Sequence, residues 1–297
     1  MESKNKSKDK YKKKRKYLGA NNPKKRKNLH EIKQGIYVAC DFGTEALCVL
    51  ECFVLFNQVV EKIYPEFKKE NLKENLNENS NENSNENLNE NLNENLNEVS
   101  ESFENELAEL RGNKGDDKKT LYLFHSIRMG GHGVVFIEIS DEYLVQKKIQ
   151  ISSEKIVQEI MYQIEKTGKL QTKHASRIVP FSKICYADME TILLNAKQIV
   201  DEYFNPKEKL PINYALDVRV SMGKFDKKQL IKNVADLIDA KHKVNLDNPD
   251  VVFLIHIFKN SCCFGILENY TRFAKFNVRK LSEKILSQKE NEKEKEK

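Results

Sequence analysis

The chain has 297 residues, with 51 Lys or Arg against 45 Asp or Glu, a formal net charge of +6, and a composition that is 32% charged and 39% hydrophobic. No run approaches the ~18 uninterrupted apolar residues of a membrane span, and the lysine-packed start lacks the apolar stretch of a signal peptide, so neither an integral membrane protein nor a secreted one is expected. Six cysteines, Cys40, Cys48, Cys52, Cys185, Cys262 and Cys263, sit mostly in apolar runs and read as reduced thiols rather than a disulfide framework.

The average charge hides unlike stretches. Residues 1–33 carry 14 basic and 3 acidic side chains, concentrated in two words, Lys13-Lys14-Arg15-Lys16 and Lys24-Lys25-Arg26-Lys27. Like-charge repulsion and few apolar groups predict a disordered basic arm, available to phosphates or to an import receptor, or acting only as a solubilising tail. The two words favour a nuclear or nucleolar pool, with the cytoplasm as the alternative. Residues 70–117 carry 14 acidic and 3 basic side chains, and from Glu70 to Glu98 the chain repeats Glu-Asn-Leu-Asn or a close variant every four residues. A helix there would stack Glu74, Glu78, Glu82 and Glu86, and Asn is a poor helix former, so 69–118 reads as a disordered low-complexity insertion. With these and the charged end set aside, about 205 residues of ordinary composition remain, enough for two domains of about 100 residues each.

The predicted elements follow in order. Gly35 to Cys40 is a short strand. A turn at Asp41-Phe42-Gly43-Thr44 leads to an amphipathic helix through Leu47, Leu50, Val54, Leu55, Val59 and Ile63, stopped by Pro65. After the insertion, Leu121–Phe124 and Val134–Ile137 form two strands across Gly130-Gly131-His132-Gly133, and a helix starts at Ser152 or Ser153. This β-α-β-β-α order suits a split β-α-β, ferredoxin-like domain over 34–170 that contains the insertion. A second unit over 171–281 opens with a short strand at Arg177-Ile178-Val179. It continues with a helix from Asp188 to Phe204, a strand from Tyr214 to Val220, and a helix opened by Asp226-Lys227-Lys228-Gln229 in capping-box spacing. Asn248-Pro249-Asp250 then turns into strands Val251–Phe258 and Cys262–Leu267. The expected fold class is α/β with mixed strand order, followed by a charged tail over 282–297.

Catalytic chemistry finds little support. The glycine run at 130–133 enters a strand rather than a helix and lacks a P-loop lysine, so it reads as a hairpin turn. Asp41-Phe42-Gly43 spells a kinase tripeptide without its partner motifs. His30, His125, His132, His174, His242 and His256 show no metal-ligand spacing. Cys48 and Cys52 share a helix face but read better as buried core thiols than as a metal pair, and Cys262 and Cys263 point to opposite faces of a strand. No metal, cofactor or catalytic residue is expected. Cations are more suggestive. Arg219, Lys224, Lys227 and Lys228 surround a helix N-terminus, where positive charge opposes the helix dipole unless a phosphate compensates; the bland alternative is a solvated lysine face. Lys169, Lys173, His174, Arg177 and Lys183 make a second basic stretch, and Lys259, Arg272, Lys275 and Arg279 a third.

These residues carry a specific resemblance. Arg177-Ile-Val-Pro180 with Cys185, Arg219 leading into Asp226-Lys-Lys-Gln, Val244-Asn-Leu-Asp-Asn-Pro249-Asp250, Cys262-Cys263, and Tyr270-x-x-Phe273-x-Lys275-Phe276-Asn277 resemble a THUMP domain of the tRNA-acetylation adaptor family. Gly35–Cys40 with Glu45 and Cys48–Glu51, and Ser126 with Val134–Ile137, are similar to the ferredoxin-like domain that precedes it. The resemblance implies a non-catalytic protein that binds tRNA and presents it to a separate RNA cytidine acetyltransferase. That enzyme uses acetyl-CoA and ATP to form N4-acetylcytidine in the D-arm of serine and leucine tRNAs. Neither a small-molecule substrate nor a membrane partner is implied. The RNA-contacting residues expected from the matched motifs and from charge are Arg177, Lys183, Arg219, Lys224, Lys227, Lys228, Lys259, Lys275 and Asn277. An unrecognised tRNA-modifying enzyme and a ribosome-assembly RNA-binding protein are the alternatives.

Overall fold

The structure, a computed structural model, describes residues 28–65, 122–127, 129, 131–206, 208 and 210–295. The expectations for the two basic words and for the 69–118 repeat lie outside these residues. The repeat falls in sequence between the first helix and the second strand.

The first sheet joins β1 (Gly35–Cys40), β2 (Phe124–Ile127), β3 (Val134–Ile139) and β4 (Ala175–Phe181) in the order β2-β3-β1-β4, every pair antiparallel. Alternation works here as strand geometry requires: Ile36 and Val38 are fully buried, while Tyr37 between them turns to the opposite face. Three long helices, α1 (Glu45–Ile63), α3 (Ser153–Thr167) and α6 (Val278–Lys295), pack with this sheet around a shared core. The buried positions of α1, Cys48, Cys52, Leu55, Phe56, Val59 and Val60, follow the helical period, as do Ile156, Ile160 and Ile164 on α3. Ser152 caps α3 through the Lys155 N–H at 3.4 Å, and Gly168 ends it in the left-handed region at φ 75°.

The second sheet joins β5 (Lys183–Tyr186), β6 (Asn213–Ser221), β7 (Lys243–Val244), β8 (Val251–Phe258) and β9 (Ser261–Glu268) in the order β5-β9-β8-β6-β7. β8 pairs antiparallel with β9 and parallel with β6. Every residue of β8 is buried, because helices α4 (Met189–Tyr203) and α5 (Lys227–Ala235) cover one face and the first sheet's core meets the other. Thus Phe253, Ile255, Cys262 and Phe264 belong to the core under the helices, and Leu254, Phe258, Cys263 and Leu267 to the core shared with the first sheet. Cys262 and Cys263 do point to opposite faces. Gly265 lets the two sheets approach closely, since a Cβ there would lie 2.6 Å from the Pro180 carbonyl oxygen.

Several sequence expectations change. The strand at Arg177-Ile178-Val179, assigned to the second unit, is part of β4 and pairs with β1, Ala39 opposite Arg177 and Tyr37 opposite Val179. Ser182 alone separates it from β5, which pairs with β9, so the chain switches sheets within one residue. The tail expected at 282–297 is largely helix α6, anchored by buried Val278 and Leu281, by Ile285 packed on the core, and by the Ser282 hydroxyl donating to the Gly168 carbonyl at 2.6 Å. A short helix, α2 (Asp141–Lys147), adds to the expected elements; Ser140 caps it by accepting from the Tyr143 N–H at 3.3 Å. The last residues of the expected arm are folded, with Leu29 and Ile32 in the core. β2 starts at Phe124, where the expected strand ends.

Candidate nucleic-acid interface

The face of β6 turned toward the first sheet carries Asp217, Arg219 and Ser221 at every second position, in line with Ala215 of the shared core. Arg219 donates to Asp217 Oδ2 from Nε at 3.0 Å and from Nη2 at 2.5 Å, and Nη2 also donates to the Tyr270 hydroxyl at 2.7 Å. The Tyr270 hydroxyl donates in turn to Asp217 Oδ2 at 3.2 Å. These bonds fix the guanidinium plane and leave Nη1 to an outside acceptor. Burial pushes the Asp217 carboxyl up, but the bonds from Arg219 and Tyr270 and the charge of Lys227 outweigh it and hold the group below its usual range. Arg219 is therefore an oriented, half-neutralised cation rather than the free one the sequence suggested.

Arg177 faces the same junction from β4. Its charge acts on Tyr37, His256 and Tyr270, and its Nε is buried without a hydrogen-bond partner. A buried donor left unpaired is costly, and an anionic oxygen would satisfy it. Tyr37 of β1 stacks on Phe258 with ring centroids 5.5 Å apart and lies 5.6 Å from His256. His256 shares a 2.9 Å hydrogen bond with Ser221 and packs on Phe258 at 3.7 Å. The junction thus holds two arginines, two tyrosines and a buried histidine, drawn from β1, β4, β6, β8 and the segment after β9.

Burial, with the Arg219 and Arg177 charges behind it, pushes His256 from 6.5 down to about 3. The unfolded chain binds the extra proton between those values, so this contribution to stability is complete above ~pH 6.5 and is lost as pH falls toward 3. Asp217, whose folded value is also depressed, adds a loss in the same direction at lower pH. Urea unfolding at about pH 7.5 and about pH 5 is expected to show a smaller stability difference for His256→Gln than for the unchanged chain. Equal differences would contradict this assignment.

The remaining expected residues divide. Lys224 is exposed on the loop after β6, and Lys227 and Lys228 are exposed in the first turn of α5, whose Asp226 cap accepts the Gln229 N–H at 2.9 Å. The second half of the expected capping box is not made, because the Gln229 side chain bonds Asn233 instead at 2.6 Å. Lys259, at the β8–β9 turn with φ 53°, donates its N–H to the Ser221 carbonyl at 3.2 Å, so this turn sits beside the β6–α5 loop. Lys275 is exposed within three successive left-handed residues, Ala274, Lys275 and Phe276, at φ 49°, 58° and 60°. Asn277 bridges to Arg177 through the backbone, but its side-chain oxygen accepts the Lys280 N–H at 2.9 Å. It holds the start of α6. Lys183 is set apart: it shares the helix-covered face of its sheet with Cys185 and contacts Gln198 of α4. Sequence reasoning missed Tyr37 and His256 as parts of the junction, and passed over Asp217, which stands two residues from Arg219 on the same strand face.

Cys48 and Cys52 are fully buried with sulfurs 4.0 Å apart. The hydrogen bond from Cys52 and burial both push the Cys48 thiol upward, so it stays protonated. Among the described residues no group of three His, Cys, Asp or Glu side chains is placed to hold a metal ion.

Residues 186–267 match the THUMP domain model. That stretch runs from the end of β5 to the end of β9 and contains Arg219, Lys224, Lys227, Lys228 and Lys259, while Arg177, Lys275 and Asn277 lie outside it. THUMP domain-containing protein 1 of Bos taurus is 25% identical over 260 residues, covering 86% of this chain and 65% of that protein. The Drosophila melanogaster homolog of that protein is 27% identical over 275 residues, 91% of this chain and 79% of that one. The Saccharomyces cerevisiae protein named tRNA acetyltransferase TAN1 is 22% identical over 270 residues, 84% of each. The chain spans 64% to 65% of the length of the mammalian relatives it matches. The chain therefore carries a THUMP domain, and over most of its length it is homologous to the proteins named THUMP domain-containing protein 1 and tRNA acetyltransferase TAN1.

Proposed function

We propose that this chain is a non-catalytic adaptor that binds tRNA at the junction of its two sheets and presents it to a separate RNA cytidine acetyltransferase. The product is N4-acetylcytidine in the D-arm of serine and leucine tRNAs. The THUMP domain and the TAN1 homologue support the coarser statement, an RNA-binding role related to tRNA modification. In this reading the antiparallel first sheet is the ferredoxin-like unit of the family, and the basic words at 13–16 and 24–27 address the protein to the nucleus or nucleolus.

The observation that carries the proposal is Arg177, whose buried Nε lacks a partner beside an Arg219 already oriented by Asp217 and Tyr270. Two guanidinium groups converge from separate sheets, which suits a phosphate backbone crossing the junction. Lys224, Lys227, Lys228 and Lys259 on neighbouring loops add affinity by displacing counterions. Positioning of the substrate, rather than bond chemistry, is the contribution of this chain.

The test is nucleoside analysis of tRNA from cells lacking the protein, with and without its return. Loss of N4-acetylcytidine from tRNA while rRNA acetylation persists is the expected result, and an unchanged tRNA level would overturn the adaptor role. The name of the yeast relative, tRNA acetyltransferase, favours a second reading, in which the chain itself transfers the acetyl group. Purified chain incubated with tRNA, acetyl-CoA and ATP is expected to form no N4-acetylcytidine, and product formation would establish that second reading instead.

A further inference from the structure

The exposed aromatic pair at the end of the first sheet has no part in the phosphate cluster just described. Phe42, in the turn between β1 and α1, is 77% exposed, the largest exposure among the aromatic residues of the described chain. It packs at a tilt on another exposed ring, His132 of the β2–β3 loop, with centroids 5.0 Å apart and planes inclined by 41°. An exposed phenyl ring is usually tolerated on a loop that moves, but the Asp41–Thr44 turn and Gly133, next to His132, are tied down. Arg279 donates to both oxygens of Asp41, at 2.8 and 2.5 Å, and the Thr44 N–H and hydroxyl both donate to the Asp41 carbonyl, at 3.2 and 2.8 Å. On the other loop, Gly133 adopts φ 69°, donates its N–H to Glu45 Oε1 at 2.7 Å, and accepts the Cys40 N–H at 2.9 Å. The neighbouring Gly43 has open space where its Cβ would stand, with no described residue within 4 Å of that position.

We propose that Phe42 and His132 form a stacking platform for an unpaired nucleobase of the bound RNA. The proposal rests on the RNA-binding reading above and adds a base contact to its phosphate contacts. Charge around the platform selects this occupant. Its two carboxylates are already occupied, Asp41 by Arg279 and Glu45 by the Gly133 N–H, and hydrogen bonding holds both below the usual carboxylate range. Beyond these pairs, Lys173 and Lys224 are exposed on its two sides. On one side Arg279 also donates to the Lys173 and His174 carbonyls, which places the residues just before β4, four and three positions before Arg177, beside the turn. On the other side Gly131 approaches Met222, where a Cβ would be 3.4 Å from the sulfur, and Met222 leads within two residues to Lys224. A fixed aromatic face flanked by cations is the combination that holds single-stranded nucleic acid, the cations following the backbone and the ring taking a base. Glu45 is a positioning residue here, since it sets the loop that carries His132.

The test is fluorescence anisotropy of the full chain with a labelled single-stranded RNA decamer and with the same decamer made abasic. Phe42→Ala is expected to weaken binding of the base-bearing strand by about tenfold, to leave the abasic strand unaffected, and to leave the salt slope unchanged. Phe42→Trp restores binding, and His132→Ala lowers it by a smaller factor. Because the ring is 77% exposed, the thermal melt of Phe42→Ala should superimpose on that of the parent. Unchanged affinity in Phe42→Ala, with Arg177→Ala still weakened, would overturn the platform, leave the RNA reading standing, and return this ledge to a protein partner. Absence of binding to both strands and to tRNA by the unchanged chain would overturn the RNA reading and the platform with it.

Discussion

Replacing Arg177 and Arg219 together by alanine is expected to weaken tRNA binding about 100-fold and to lower the slope of log affinity against log salt by about two, one for each phosphate left without its arginine. The magnitude follows from two charge-assisted hydrogen bonds at about 1.5 kcal/mol each, made where burial reduces screening by solvent. For Arg177 the change should fall on affinity rather than on folding, because its Nε has no partner in the protein to lose, whereas removing Arg219 also takes three hydrogen bonds from Asp217 and Tyr270 and lowers the melting temperature. Single replacements will not be equivalent. Arg177→Ala removes an unpaired cation, whereas Arg219→Ala also frees Asp217, which then repels the phosphate it previously helped to meet. Arg219→Lys separates charge from geometry, since an ammonium cannot span Asp217 and Tyr270 with one planar fork. It should recover part of the salt slope but less of the affinity. Titration of labelled tRNA across a salt series checks all four variants, and a double mutant that binds with the parent's affinity would remove the junction from the interface.

The same junction shows which features the sequence discloses. Elements with a long or pure period were legible: the α4 and α5 stripes, the paired strands β8 and β9 around the Lys259–Ser261 turn, and α1 through Leu55 and Val59, although Leu47 and Leu50 of its expected stripe are exposed and Cys48 and Cys52 are buried instead. Each is specified by residues close in sequence. The partner of β4 was not legible, because pairing Ala39 with Arg177 spans 138 positions, and the single residue Ser182 hides the change of sheet. Helix α6 was obscured by composition: Val278, Leu281 and Ile285 bury a narrow stripe beneath so many Lys and Glu residues that the segment reads as solvated. The cation set was partly legible. Strand period alone places Asp217 beside Arg219 and puts Lys183 on the same face as Cys185, but only the packing of two sheets reveals that Arg177, Tyr37 and His256 meet Arg219.

Phe204→Ala is expected to destabilise the protein by about 3–5 kcal/mol, a large share of the 5–15 kcal/mol typical of a folded domain. Phe204 is fully buried just after α4, and its ring lies 5.1 Å from Tyr203, 5.6 Å from Tyr214, 5.8 Å from His242 and 6.1 Å from Phe253. It therefore joins the end of α4 to β6, β8 and the segment before β7. The surrounding polar groups cannot move in to fill the void. His242 Nδ1 accepts the Ile212 N–H at 3.2 Å, so the proton sits on Nε2, which donates to the Phe204 carbonyl at 2.6 Å. That neutral histidine is committed at both nitrogens and is held in place by the backbone whether or not the phenyl ring is present. The urea midpoint should fall with little change in the m-value, and Phe204→Leu should cost markedly less because it leaves a smaller cavity. RNA affinity measured well below the melting temperature should persist in Phe204→Ala, the reverse of Arg177→Ala, which melts normally and binds poorly. A Phe204→Ala variant with an unshifted midpoint would mean that the helix-covered face of the second sheet contributes little to stability, and that the shared core between the sheets holds the fold alone.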